Sequence, residues 1–105
     1  MSVATQLKKG VLEGCILKQI EKGETYGYQI CEDLAKNGFA DIGEGTVYPI
    51  LVRLEKKGLL DVTVKASPLG PKRKYFKLSD EGRAYLAHFA AEWQRMVDVT
   101  KGYFG

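Results

Sequence analysis

The chemically capable side chains of this 105-residue chain are mostly cations rather than nucleophiles. Between Arg53 and Lys77 lie Arg53, Lys56, Lys57, Lys65, Lys72, Arg73, Lys74 and Lys77, against only two acids, Glu55 and Asp61. That segment carries a formal +6 in a chain whose total is +3, so the remainder carries −3. A basic segment on a nearly balanced body is the footprint of a polyanionic partner, with a merely solvated charged face as the alternative. The consecutive cations Lys72-Arg73-Lys74 repel one another. A nucleic-acid backbone or minor groove relieves that repulsion, whereas a solubilising tip is the plainer reading.

Catalysis is not expected. The sequence offers no Ser-His-Asp grouping, no phosphate-cradling loop and no paired carboxylates in an evident pocket. Its single histidine, His88, is expected to face solvent and cannot build a metal site with Cys15 and Cys31, which form no C-x-x-C pair. No metal or cofactor is expected. Both thiols fall within apolar helical patterns, which suits buried, reduced cysteines, a redox switch being the alternative.

Positioning the cations requires a scaffold, and length allows one domain. At 45% hydrophobic and 28% charged the composition is that of an ordinary globular chain. No apolar run approaches the roughly 20 residues needed to span a bilayer. The N-terminal residues, Met1 to Gln6, lack the basic-then-apolar pattern of a signal peptide, so a cytoplasmic protein without membrane partners is expected.

Leu7, Val11, Leu12, Cys15, Ile16 and Ile20 fall at helical spacing, predicting a first helix from about Thr5 to Lys22. Gly10 and Gly14 would let another backbone approach it. A second helix is expected to start at Thr25 as N-cap, to bury Tyr26, Ile30 and Leu34 on one face, and to stop at Asn37-Gly38. A third carries the stripe Val47, Ile50, Leu51 and Leu54 and closes at Lys56-Lys57-Gly58. Pro49 must lie close to its start, since the amide donor it removes is tolerable only near a first turn. Helix, helix, loop and helix suggest a helix-turn-helix.

The period then changes to two. Leu60, Val62 and Val64 alternate with polar residues, Ser67 to Pro71 reads as a turn, and Phe76 and Leu78 belong to a returning strand. This hairpin is the wing of a winged helix. Ser79, followed by Asp80 and Glu81, should cap a last helix running to about Lys101, roughly 33 Å long at 1.5 Å per residue. The expected fold class is therefore α+β, mostly α: a winged helix-turn-helix in residues 1–78 and a long C-terminal dimerisation helix in residues 79–105, forming one compact unit.

On a helical wheel the third helix turns Pro49, Val52, Arg53 and Lys56 away from its apolar stripe, with Thr46 and Tyr48 on the flanks. A recognition helix needs such a face, its N-terminal part meeting base edges. Gly45 permits close approach of a phosphate to the helix start. Tyr48 can donate its hydroxyl to a phosphate, and Arg53 suits a guanine edge or a phosphate. In the last helix Leu86, Phe89, Trp93, Met96, Thr100 and Tyr103 recur at heptad spacing. Burial against a second chain is one outlet for that stripe, packing back on the first helix another.

The run Gly45-Thr46-Val47-Tyr48-Pro49-Ile50-Leu51-Val52-Arg53-Leu54-Glu55, continuing to Gly58-Leu59, resembles the G-T-[LV]-Y-P-x-L-x-R-L-E-x-x-G-L pattern of the PadR family of bacterial transcriptional regulators. Arg73-Lys74-Tyr75-Phe76-Lys77-Leu78-Ser79-Asp80-Glu81-Gly82 is similar to that family's R-K-Y-Y-x-L-T-x-x-G, and Tyr26-Gly27-Tyr28-Gln29-Ile30 to its Y-G-Y-x-I. Leu69-Gly70-Pro71-Lys72 departs from the doubled glycine often found at the wing tip. The resemblance implies a homodimer, built by the first and last helices through residues such as Leu7, Val11, Leu86, Phe89, Trp93, Met96 and Thr100. It also implies binding to a pseudo-palindromic operator in double-stranded DNA, usually as a repressor, through Gly45, Thr46, Tyr48, Pro49, Arg53, Lys56, Lys72, Arg73, Lys74 and Tyr26. The single C-terminal helix resembles the short-form subgroup. In multidrug-sensing members a tryptophan in a context similar to Ala91-Glu92-Trp93-Gln94-Arg95-Met96 stacks flat aromatic ligands between subunits. That likeness implies a small aromatic effector held by Trp93, Glu92, Met96 and Phe89, with Glu92 or Asp98 meeting a cationic one. A dimer-core role for Trp93 is the alternative, and a protein–protein docking module is the alternative to DNA binding.

Overall fold

The computed structural model describes residues 2–105; Met1, the first residue of the expected 1–78 unit, lies outside them. Helix α1 spans Val3–Glu21 and opens on Ser2, whose Oγ accepts the Thr5 amide at 3.1 Å. Leu12, Ile16, Leu17 and Ile20 are buried, whereas Leu7 stays 70% exposed. Only the C-terminal half of α1 therefore serves the chain's own core.

The chain next forms the two-residue strand β1 (Thr25–Tyr26), then α2 (Gly27–Lys36). Thr25 is thus not a helix cap. It pairs with Phe76, and Tyr26 with Tyr75, which keeps the backbone extended for two residues longer than helix propensity suggests. Tyr26 takes the N-cap place without a side-chain hydrogen bond. As expected, α2 ends at Asn37-Gly38, where the Phe39 amide donates to the Leu34 carbonyl.

Helix α3 covers Glu44–Lys56. Val47, Leu51 and Leu54 are at most 1% exposed, with Ile50 at the margin of the core. Burying each such side chain stabilises by about 1.5–3 kcal/mol, and this stripe seats α3 against α2 and the start of β2 in the shared core. Pro49 is the sixth residue of α3, close to its start but already in the second turn. It leaves the Gly45 carbonyl without its intrahelical donor. Both residues are exposed, so water can supply the missing bond. At the other end Gly58, at φ 77°, donates to the Glu55 carbonyl while Leu59 donates to that of Leu54. This Schellman closure brings buried Leu59 over Leu54.

Strands β2 (Leu60–Ser67) and β3 (Gly70–Leu78) form the antiparallel wing, and β1 adds to the other side of β3 in the order β1-β3-β2. The strands are longer and the turn shorter than the sequence suggests: only Pro68 and Leu69 lie between them. Pairing passes from Lys65↔Arg73 to Ser67↔Gly70, so β3 carries one extra residue opposite Ala66. Pro71 falls in this bulge, where its lack of an N–H is tolerated.

Helix α4 runs from Asp80 to Phe104, about 37 Å at 1.5 Å per residue. Its cap is Ser79, whose Oγ accepts the Gly82 amide at 3.0 Å and donates to the Gly58 carbonyl at 2.6 Å. Leu86, expected at a dimer seam, is instead 5% exposed within the chain's own core. It lies less than two turns from the capped end, where α4 still overlies that core. Beyond it Phe89 is half-buried, its ring lying against Gly14. Gly14 thus admits a ring rather than another backbone. Among the described residues no helix is long and apolar enough to cross a membrane.

A β-carbon on Gly82 would stand 2.1 Å from the Leu59 carbonyl oxygen, a backbone atom that cannot step aside alone. Gly82→Ala is therefore expected to cost about 1–3 kcal/mol, as overpacking does. Thermal unfolding followed by circular dichroism checks this; an unchanged midpoint would contradict the close packing of α4 on the α3 turn.

Candidate nucleic-acid interface

The outer side of α3 is built as its wheel requires. Gly45, Pro49, Arg53 and Lys56 are exposed and Thr46 is half-buried. Tyr48 is 42% and Val52 46% exposed. Open space surrounds the α-carbon of Gly45. Tyr48 is braced from beneath: a β-carbon on Gly27 would lie 2.3 Å from its ring, so only glycine lets the start of α2 pass under it. Burial first, then the Glu44 carboxylate, pushes the Tyr48 phenol above its ordinary pKa and keeps it a hydrogen-bond donor.

Between α3 and the wing lies a cleft of about 640 Å³, lined by Tyr26, Gly27, Tyr28, Tyr48, Val52, Glu55, Arg73 and Lys74 among others. The fold thus brings together four of the expected contact residues, Tyr26, Tyr48, Arg73 and Lys74. Tyr28, to which its place in the sequence assigns no role, joins them. Lys72 to Lys74 do not crowd a hairpin tip; they alternate along β3. Arg73 is half-buried, its guanidinium 4.1 Å from the centre of the Tyr26 ring, and Tyr26 meets Tyr75 edge-on at 5.5 Å. Lys74 turns toward α3 and pairs with Glu55 at 3.3 Å. Lys65 sits 5.0 Å from the centre of the Tyr75 ring and pairs with Glu24. Cation–π stacking and strand alternation, invisible in a run of three cations, therefore relieve part of their mutual repulsion. Lys56 and Lys72 make no ion pair among the described residues.

Arg53 is placed differently. Its Nη2 donates to Glu13 Oε2 of α1 at 3.2 Å, and its side chain is not part of the cleft lining. The sequence offers no signal for this pair, whose partners are 40 residues apart.

A second groove, about 590 Å³, runs between α1 and α4. Its walls include Leu7, Val11, Phe89, Glu92, Trp93, Met96 and Thr100, so it gathers the four residues expected to hold an effector. Trp93 is 48% and Met96 56% exposed. Glu92 is shared with Arg95 at 3.2 Å, and Asp98 accepts from Gln94 rather than lining the groove. The cysteines are half-buried and unpaired, and burial pushes both thiols up, which disfavours thiolate. His88 is exposed on α4.

Solved structures of known proteins share this architecture over most of their length. A Bacillus cereus PadR-like transcriptional regulator is 43% identical, with 94% of this chain and 96% of that chain covered and a TM-score of 0.83. A Streptococcus transcriptional regulator is 41% identical over 95% of this chain and 98% of its own, with a TM-score of 0.84. An uncharacterized Lysinibacillus sphaericus protein is 31% identical across 92% of this chain and 91% of its own length. The model of the PadR-like transcriptional regulator family matches residues 16–88, from the core of α1 through the helix-turn-helix and wing into α4. The chain belongs to the PadR-like family of transcriptional regulators.

Proposed function

We propose that this regulator acts in the cytoplasm as a homodimeric repressor that binds a pseudo-palindromic operator, without catalytic activity. The observation that carries the reading is the cleft between α3 and the wing, where Arg73, Lys74 and three tyrosines flank the exposed side of the helix. Gly45, Thr46, Pro49 and Val52 are the groove-facing part of α3, while Tyr26, Tyr48, Lys56, Lys72, Arg73 and Lys74 hold phosphates on either side. Arg53 adds a base or phosphate contact. Two such units come from two chains joined along α1 and α4. Support for that joint is the apolar groove wall in which Leu7, Trp93 and Met96 are exposed beside half-buried Val11, surface that a single chain leaves in water. A flat aromatic molecule stacking on Trp93 in the groove would alter the joint and thereby the spacing of the two α3 helices.

Neutralising Lys72, Arg73 and Lys74 together to Gln should weaken binding to every duplex. It should also make the log-affinity against log-salt slope shallower by about 2–3, near 0.9 for each phosphate no longer neutralised. Fluorescence anisotropy over a salt series reads this, and an unaltered slope would remove the wing from the interface.

Met96→Asp places a charge in the apolar wall and should yield monomers in analytical ultracentrifugation, together with failure to bind the operator. A dimer that persists would remove α4 from the joint. Titration with aromatic cations and phenolic acids should quench Trp93, the only tryptophan. A flat response to every compound would count against the effector.

A further inference from the structure

Glu13 is an odd residue for a surface that must approach DNA. A carboxylate there repels phosphates, and this one is only 19% exposed, against 49% for Arg53. Its Oε1 is buried without a well-formed hydrogen bond, which is costly for a charged group. The Tyr85 phenol of α4 lies against the carboxylate, and that contact first and burial second push the phenol's pKa up. Gly14, the next residue, holds the Phe89 ring, so α4 backs this point of α1 from behind. Glu13 is thus a fixed anchor, set by α1 and α4. What it anchors is one end of the guanidinium of Arg53, on the helix that faces the groove.

A guanidinium has five N–H donors in a rigid plane. Glu13 takes one at Nη2, and the others make no hydrogen bond among the described residues. Pinning one end has two consequences of opposite sign. The side chain loses less freedom when its free edge meets a fixed pair of acceptors, which favours bidentate reading of a base. Its charge is also partly spent on Glu13, which disfavours indiscriminate attraction to phosphates. An arginine left free would do the reverse. We propose that Glu13 is a positioning residue that holds Arg53 for base reading and so trades non-specific DNA affinity for sequence preference. The inference rests on the DNA-binding reading above and adds a specificity determinant on a helix outside the helix-turn-helix pair.

The test compares two duplexes, one enriched from a random pool by the wild-type protein and one of scrambled sequence and equal composition, at a single salt concentration. Glu13→Gln keeps the shape and removes the charge. It should weaken binding to the selected duplex while binding to the scrambled one stays equal or tightens. Their ratio should fall about tenfold, within the range for one bidentate base pairing. Arg53→Lys, which keeps the cation and loses the planar fork, should lower the ratio similarly. In an Arg53→Ala background Glu13→Gln should leave the ratio unmoved. A purely structural strut would move both duplexes together. An unaltered ratio in Glu13→Gln, or a fall that persists without Arg53, overturns the proposal. If Glu13→Gln melts below the assay temperature, Arg53→Lys decides alone, and a wild-type ratio in that variant overturns the proposal. A wild-type protein that enriches no sequence defeats the DNA-binding reading itself. One that enriches a sequence but is insensitive to Glu13 defeats only this inference.

Discussion

The molecule is held in register by the turn that ends α3. There Gly58 and Leu59 close the helix, the Leu59 carbonyl accepts the Ser79 amide at 3.1 Å, and the Ser79 hydroxyl bridges the Gly58 carbonyl and the Gly82 amide. Three elements meet in those few bonds: the end of the helix that presents Thr46 to Lys56, the residue that leads into the wing strand, and the capped start of α4. Ser79 is 7% exposed, so its hydroxyl has little water to fall back on. With the turn fixed, the core stripe of α3 sets the helix's tilt, the strand ladder sets the wing's reach, and α4 leaves the core in one direction.

Charge follows from that geometry. The basic segment is not a uniform patch but a set of cations with distinct constraints. Arg73 is stacked on Tyr26, Lys74 is drawn to Glu55 and Arg53 is tied to Glu13, while Lys56 and Lys72 make no ion pair among the described residues. Exposed pairs such as Lys74–Glu55 contribute little to folding. Their effect is on where the positive charge stands before a polyanion arrives, because an ordered cation has less side-chain entropy left to lose. The two grooves divide the surface accordingly: one is rimmed by cations and tyrosines, the other is walled by Leu7, Val11, Trp93 and Met96.

Much of this was legible in the sequence. Helices α1, α2, α3 and α4 announce themselves by apolar spacing, and Ser79, Asn37-Gly38 and Gly58 mark boundaries that the structure keeps. The winged-helix architecture followed from the change of period after Leu60. What was not legible depends on distant partners. Thr25 reads as a cap because its β-pairing with Phe76 lies some fifty residues away and spans only two residues. The turn at Ser67 to Pro71 reads as a long loop because two prolines and a glycine cluster there, yet a bulge lets the ladder continue past Pro71. Heptad spacing identifies the stripe on α4 but cannot tell that Leu86 is consumed by the chain's own core while Trp93 is not. The helical spacing of the exposed residues places Arg53 on the outer side of α3, but nothing local reveals the carboxylate that claims it.

The proposed dimer sets α3 in a major groove twice on one duplex. Guanine N7 faces that groove, so methylation protection of a selected operator reports the contact directly. Two protected patches are expected on one face of the DNA, separated by about one helical turn, roughly 10 base pairs, or a multiple of it. A single patch, or protection confined to minor-groove positions, would rule that placement out.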